Sequence, residues 1–293
     1  MFATTECCLF ALQLYVIHAP LGDRVVACAY ALLEGKSANV YRDMLRALVQ
    51  RCTDVGCAPH PAVVVTDFER AAMKATRDVL GGDVRCQGCF FHLTQSTWRK
   101  IQELGLSNVY KSSDSFRLLA GMLDGLAFLP LDRVSEGMTY VRSVMPPSAA
   151  PLVDYFDVNY VSGSVYVDDD DVVHRQPARF LPSTWSVHTA TLSGGDRTNN
   201  NSEGWNSRLQ HAIGHQHPSI WRLIEALQAD AAEASSRILR HATGALSPKR
   251  QSRATKEYQL RLQRLCQDFI CGHRPMDNFL RAVGHSIRHV MLE

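Results

Sequence analysis

Two acidic residues, Asp67 and Glu203, lie at positions where a carboxylate could bind a metal ion. Asp67 closes AVVVTDF (62–68), a short apolar run that predicts a buried strand, and a carboxylate fixed at a strand end is a suitable ligand for Mg²⁺. Glu203 falls in the first turn of a helix predicted within RTNNNSEGWNSRL (197–209). If folding brings them together, the two acids can hold two metals about 3.5–4 Å apart for phosphoryl transfer. Each acid also fits a simpler role as an anion at a helix start, and spacing alone leaves both interpretations open.

A second chemical pattern is C-x-x-C-x-x-H, formed by Cys86, Cys89 and His92. Two thiols and an imidazole suit Zn²⁺ when a fourth ligand completes a tetrahedral site. No partner follows at zinc-finger spacing, and the candidates elsewhere are His18, His60 and His188. The alternative is structural, with buried thiols and a hydrogen-bonded histidine that shape the edge of a sheet.

Length and composition indicate a globular chain. It has 293 residues, of which 46% are hydrophobic and 20% charged. It contains no apolar run of roughly eighteen residues, and its first residues lack the basic segment of a secretory signal, so neither a membrane span nor a signal is expected. Nine scattered cysteines fit reduced thiols in a nuclear or cytoplasmic protein better than a disulfide framework.

The charge is uneven along the chain. Residues 235–293 carry 11 Lys/Arg against 4 Asp/Glu, whereas the whole chain has a net charge of only +2. A basic segment of this kind favours a polyanionic partner such as DNA. A solvated helical surface has a similar composition, so charge alone leaves both interpretations open.

The predicted elements alternate between strands and helices in the first ninety residues. In chain order they are strands at 13–19 and 24–33, a helix at 39–52, a strand at 62–68, a helix at 69–80 and a short strand at 83–89. Gly22 and Asp23 mark a turn, so the first two strands are predicted to form a hairpin. Together these elements predict a mixed sheet with helices on its faces.

The rest of the chain is predicted to be mainly helical. Residues 162–198 are predicted as loop, with DDDD (168–171) as a solvated acidic turn because it lacks the Gly and distal Glu of a calcium-binding loop. Residues 247–256, SPKRQSRATK, are predicted as an exposed basic linker.

The chain resembles the Mutator-like element (MULE) transposase domain over roughly residues 10–230. The matching segments, in family order, are QLYVIHA, VVACAYALLEGKSANVY, VVTDFERAAMKA, GCFFHLTQSTWRKIQELGL, LAFLP, WSVH and RTNNNSEGWNSRL. The resemblance implies an α/β, RNase H-like fold, with a mixed sheet flanked by helices. It implies a domain at 1–232 with a largely helical insertion at about 105–196, followed by a basic helical region at 233–293.

The resemblance also implies metal-dependent DNA cleavage and strand transfer, with Mg²⁺ or Mn²⁺ at a DDE-type site. Asp67 then corresponds to the second catalytic aspartate and Glu203 to the catalytic glutamate. Cys89 and His92 match the family's C-x-x-H signature, and Cys86 is additional to it. DNA is the implied partner and the nucleus, or else the cytoplasm, the implied location, while homo-oligomerisation is left open. The candidate DNA-binding side chains are Arg197, Asn199, Asn200, Lys249, Arg250 and Arg253.

One part of the family's site has no counterpart here. The family's first aspartate lies in a D-[GA]-T-[FY]-like motif before the QLY strand, in a register that falls at or before Met1. MFATTECC contains no aspartate, and its single acid, Glu6, is out of register. We therefore expect the first strand and its carboxylate to be lost or truncated, and most cleavage activity with them.

The sequence thus predicts a MULE transposase-derived protein with impaired DNA cleavage and residual DNA binding. One alternative is an active recombinase whose missing carboxylate comes from Glu6, another chain or an upstream exon. The other is a domesticated zinc-binding or protein-interaction scaffold without nuclease activity.

Overall fold

A computed structural model describes residues 5–9, 12–168, 170–195, 197, 200–214, 218–248 and 252–290; at 5–9, 12, 200–203 and 288–290 it describes the backbone alone. The chain divides into two compact units. Unit 1 comprises Met1–Cys89 and Thr198–Arg250, and unit 2 comprises Phe90–Arg197 and Gln251–Glu293. Within the described ranges, no helix combines the length and apolar character needed to cross a bilayer.

The strands, in chain order, are β1 (Thr5–Leu9), β2 (Leu12–Leu21), β3 (Arg24–Leu33), β4 (Val63–Thr66), β5 (Arg85–Gly88), β6 (Ser164–Val167) and β7 (Val173–Gln176). The helices are α1 (Ala38–Asp54), α2 (Arg70–Leu80), α3 (Phe90–Glu103), α4 (Ser107–Ser112), α5 (Asp114–Gly125), α6 (Val134–Val144), α7 (Ala150–Phe156), α8 (Pro182–Trp185), α9 (His188–Leu192), α10 (Asn200–Ile213), α11 (Ile220–Ala242), α12 (Arg253–Ile270) and α13 (Met276–Val290). Short 3₁₀ turns and a π-helical segment at Asp157–Val161 join several helices of unit 2.

The first sheet of unit 1 is an antiparallel meander in the order β1-β2-β3. Gly22 connects β2 to β3 with φ of 62°, a left-handed conformation that costs glycine little, so the predicted hairpin is confirmed. A strand precedes QLY, since Thr5–Leu9 pairs with β2, and the expectation that the family's first strand is lost or truncated stays a prediction. Thr5 favours extended backbone, and pairing with β2 satisfies hydrogen-bonding groups along one edge of β1. Residues 1–4 lie outside the described residues.

The second sheet of unit 1 consists of parallel strands β4 and β5, with Val64 opposite Cys86. Helix α2 provides the crossover that parallel strands require. The described pairings therefore form one three-stranded and one two-stranded sheet. The predicted α/β class is confirmed, whereas a continuous RNase H-like sheet is not among these pairings.

Strand β2 is the centre of unit 1 because helices cover both of its faces. Side chains alternate along a strand, so Tyr15 and Ile17 point to one face, and Leu14 and Val16 to the other. Tyr15 and Ile17 share a core with α1 and α2, through Tyr41, Leu45, Ala72 and Ala75. Leu14 and Val16 share a core with α10 and α11, through Trp205, Leu209, Ile213, Leu223 and Ala226. Burying each large aliphatic side chain contributes about 1.5–3 kcal/mol, so these two cores fix both helix layers on the sheet.

Unit 2 is mainly helical, as predicted for the second half of the chain. Its largest fully buried side chains include Phe116, Phe128, Phe156, Trp185 and Phe279. The indole N–H of Trp185 donates to the Tyr160 carbonyl at 2.9 Å, so the polar atom of this core residue is satisfied.

Two sequence predictions for residues 162–256 are wrong in part. Residues 162–198 are not all loop, because β6 and β7 form an antiparallel hairpin there and α8 and α9 follow. The predicted linker at 247–256 overlaps α12, whose first turn is capped by the Ser252 hydroxyl accepting from the Thr255 N–H at 3.0 Å. In the predicted acidic turn Asp170 and Asp171 are exposed and Asp168 is half-buried, while Asp169 lies outside the described residues.

Candidate active site

Asp67 directly follows β4, at the carboxyl end of a parallel strand. Backbone hydrogen bonds hold it there, since the Cys89 N–H donates to the Thr66 carbonyl at 2.9 Å and the Glu69 N–H donates to the Asp67 carbonyl at 2.7 Å. The Asp67 side chain is half-buried, and its Oδ1 atom is buried. The structure thus places Asp67 at the strand end where the sequence predicts it.

Glu69, which the sequence analysis does not single out, is a second carboxylate close to Asp67. Burial raises the pKa of Glu69 above its ordinary value; the Tyr41 hydroxyl and Lys36 lower this pKa, and the charge of Asp67 raises it. A raised pKa means that folding shifts Glu69 toward its neutral form relative to the unfolded chain. The signal for this residue is the spacing in TDFE, which puts both acids at the same strand end.

Two buried tyrosines line the same region. The Tyr41 hydroxyl donates to Gln13 Oε1 at 3.1 Å. Burial raises the pKa of Tyr15 and of Tyr41, and nearby acidic groups including Asp67 and Glu69 raise both further. Both hydroxyls therefore stay neutral, so the negative charge of the site belongs to its carboxylates. Such oxygen donors are the ligands that hard divalent cations prefer.

Helix α10 carries Glu203 in its first turn, as the sequence predicts. The side chains of Asn200 and Glu203 lie outside the described residues, and so does Asn199 altogether. Trp205, one turn into the helix, is buried against the sheet, and its ring meets the His18 ring edge-on at 5.4 Å between centroids. The structure places Asp67 and α10 in the same unit, while their joint binding of metal stays a prediction.

Comparison with known protein families finds a match that lies largely in unit 1. Residues 1–96 match the MULE transposase domain. The matched segment contains β1 to β5, the Asp67–Glu69 pair and the C-x-x-C-x-x-H pattern, and it indicates a transposase-related origin. No curated protein matches the chain significantly. The resemblance found in the sequence is confirmed over residues 1–96.

The two cysteines of the C-x-x-C-x-x-H pattern are buried. Cys86 lies in β5 with its Sγ 3.7 Å from the Met73 carbonyl oxygen, and burial raises its pKa although Arg77 opposes that shift. Cys89 is fully buried at the end of β5, and His92 is half-buried in the first turn of α3. Among the described residues, no group of three or more His, Cys, Asp or Glu is arranged to hold a metal ion. The zinc site therefore stays a prediction.

Arg197, a predicted DNA-binding residue, is buried in unit 2, with 8% of its surface exposed. Its guanidinium carbon lies 5.6 Å from the centre of the Phe128 ring and 5.9 Å from that of Tyr258. Its carbonyl accepts from the Phe90 N–H at 3.2 Å. Cation–π contacts of this kind stabilise a buried guanidinium, so the described role of Arg197 is in packing.

The other predicted DNA-binding residues lie after the MULE-matching segment. Lys249 and Arg250 are outside the described residues. Arg253 is exposed at the start of α12, where its Nε donates to Glu257 Oε1 at 2.7 Å. An exposed ion pair of this kind contributes about 0–1 kcal/mol, so Arg253 can exchange it for another anion at low cost.

Proposed function

We propose that this chain is a MULE transposase-derived protein that binds DNA and cleaves it weakly by itself. The family match over residues 1–96 supports the transposase origin. The proposal includes an RNase H-like core, supported by antiparallel and parallel strands in one unit and by helices on both faces of β2. It also includes a nuclear location, because the DNA would be found there.

The observation that carries the DNA-binding proposal is the solvent face of α12. This helix buries Leu262, Leu265, Cys266 and Phe269 along one side. Its exposed basic side chains are Arg253, Lys256, Arg261 and Arg264. Glu257 is the one exposed acid in α12, all of which is described, so the face carries a clear excess of positive charge. Such a face suits the closely spaced phosphates of duplex DNA, where each neutralised phosphate releases counterions.

The proposal for cleavage concerns the carboxylates of unit 1. Asp67 and Glu203 would hold a divalent metal, and the oxygen donors of Asp67 and its neighbour Glu69 fit a hard cation. A metal bound there would activate water and stabilise the leaving oxygen. Asp67 would position the metal from a rigid strand end, while the nearby hydroxyls of Tyr15 and Tyr41 stay neutral. Within residues 1–293 the proposed site has two carboxylates in the family's register, Asp67 and Glu203, and we propose that cleavage by this site is weak.

The test is the salt dependence of DNA binding. We expect the affinity of the chain for a 30-base-pair duplex to fall steeply with salt, because phosphate contacts dominate. The variant Lys256→Gln, Arg261→Gln, Arg264→Gln should bind more weakly and flatten the plot of log K against log salt by about 2–3 in slope.

A control variant with the same loss of charge separates the α12 face from net charge. Arg46, Arg99 and Lys111 are exposed on other helices, and changing all three to Gln should leave the slope nearly unchanged. Equal effects of the two triple variants would contradict the α12 proposal. An affinity that does not depend on salt would contradict DNA binding through phosphates altogether.

A further inference from the structure

The β6–β7 hairpin of unit 2 exposes a concentrated set of large apolar side chains. The exposed fractions are 60% for Val165, 53% for Tyr166, 57% for Val167, 50% for Val172 and 63% for Val173. Single exposed valines are ordinary, but Val165, Val167 and Val173 share one face of this short hairpin and form an apolar patch of the kind that marks an interaction surface.

The hairpin also presents strand edges. In the described part of the chain β6 and β7 pair with each other and with no third strand, so each has one outer edge. Proteins commonly protect such edges with lysine, inward-pointing charge or a covering element, because unpaired backbone groups recruit another strand. Here the strands SVYV and VHRQ place valines beside those edges.

The charges of the hairpin lie at opposite ends. Asp170 and Asp171 are exposed in the turn, whereas Arg175 and Arg179 are exposed at and beyond the far end of β7. Asp168 is engaged inside the hairpin, since its Oδ2 lies 2.6 Å from His174 Nε2 and its Oδ1 accepts from backbone N–H groups of the turn. The end-to-end separation of charge makes the β7 edge complementary to an antiparallel copy of itself.

We propose that the outer edge of β7 pairs, antiparallel and about a two-fold axis, with the same edge of a second copy of this chain. A pairing in which His174 lies opposite His174 of the partner subunit keeps opposed side chains on the same face and directs each acidic turn toward Arg179 of the partner subunit. An interface of this type is isologous, with the same surface used twice. The acidic turn disfavours DNA phosphates as the occupant. This inference goes beyond the proposed function, and it does not depend on DNA binding.

Charge reversal with rescue tests the proposal on the full chain. Sedimentation of the parent across about 1–100 μM should show a monomer–dimer equilibrium. The variant Asp170→Arg, Asp171→Arg and the variant Arg175→Asp, Arg179→Asp should each weaken self-association at least tenfold, because like charges then face each other. An equimolar mixture of the two variants should recover a dimer.

Each outcome of these measurements either supports or overturns the dimer proposal. A monomeric parent over the whole concentration range would overturn the proposal, and so would a dimer that both reversals leave intact. Circular dichroism of both variants checks folding, which exposed positions should preserve; the sedimentation of the parent stands even if a variant fails to fold. Because the α12 variants test DNA binding separately, failure of either idea leaves the other measurable.

Discussion

The indole N–H of Trp205 and the hydroxyl of Tyr30 both donate to Oδ2 of Asp230, at 2.7 Å and 2.5 Å. Asp230 on α11 thereby ties α10 to β3. Since Trp205 lies two residues after Glu203, this carboxylate holds the helix that carries the predicted catalytic glutamate. The position of α10 thus depends on a residue far from it in sequence.

Replacing Asp230 should therefore destabilise unit 1. Asp230→Ala removes the acceptor of two donors, and leaving a buried donor unsatisfied costs about 1–3 kcal/mol. We expect the free energy of unfolding, measured by urea denaturation, to fall by about 2–4 kcal/mol. Tyr30→Phe removes one donor and should cost about 1 kcal/mol. Equal losses of unfolding free energy in the two variants would show that the hydrogen bond from Trp205 to Asp230 does not stabilise the fold.

A close contact between α5 and α13 predicts a second stability effect. A methyl group added to Gly121 would lie 2.6 Å from the Gly284 carbonyl oxygen, which is too close for any ordinary contact. Gly121→Ala should lower the unfolding free energy by about 1–3 kcal/mol, because overlap outweighs the helix propensity of alanine. Chemical denaturation measures the change.

The matched control is Gly204→Ala in α10. Gly204 is exposed, and the nearest atom to an added methyl is the guanidinium of Arg208 at 4.0 Å. In Gly204→Ala the higher helix propensity of alanine should act without steric overlap and raise the unfolding free energy by about 0.5–1 kcal/mol. Stabilisation by both substitutions would mean that the two helices separate readily at Gly121.

The pKa of Glu69 predicts a pH effect on stability. Burial raises this pKa in the folded protein, so the folded state binds the proton more tightly than the unfolded state. Ionisation of Glu69 therefore lowers the stability of the folded protein. This loss of stability is absent below the unfolded pKa of about 4.3, grows as the pH rises toward the folded pKa, and is constant above the folded pKa. Glu69→Gln should therefore unfold at a higher temperature than the parent at pH 7, and the difference should disappear near pH 4.

The control for this measurement is Glu34→Gln, at an exposed position of unit 1. It should leave the pH dependence close to that of the parent. A Glu69→Gln variant less stable than the parent at pH 7 would show that the carboxylate's contacts with Tyr41 and Lys36 outweigh its burial.

The sequence predicts those parts of the site that depend on local pattern. Asp67 is found because a run of valines marks its strand and the acid ends it. Glu69 is missed because its environment depends on Tyr41, whose burial arises from contact between α1 and the sheet. Arg197 is predicted as a DNA-binding residue, whereas two aromatic rings distant in sequence lie against it in a buried position. The β6–β7 hairpin is missed because four-residue strands beside an acidic run resemble a loop.

Thiol chemistry tests the zinc alternative. Cys86, Cys89 and Cys266 are buried, and burial raises the pKa of Cys266 to about 12, so its thiol stays protonated at pH 8. Mass-spectrometric mapping of alkylation at that pH should find Cys57 and Cys271 modified in the native chain, and the three buried thiols modified only in denaturant. Elemental analysis should give well under one zinc per chain. One equivalent of zinc that is lost in Cys86→Ser would restore the scaffold alternative.

A DNA-cleavage assay with Mg²⁺ or Mn²⁺ tests whether the carboxylates of unit 1 support catalysis. Because Asp67 is one of the few carboxylates of the proposed metal site, we expect the parent to cleave a DNA duplex at a low rate that Asp67→Asn lowers by less than tenfold. Asn keeps the size of the side chain and removes its charge, so folding is expected to be retained. A parent rate at least tenfold above that of Asp67→Asn would contradict weak cleavage and favour an active recombinase. Glu6→Gln in that active parent would then show whether Glu6 supplies the further carboxylate, because its loss should lower the rate as much as loss of Asp67.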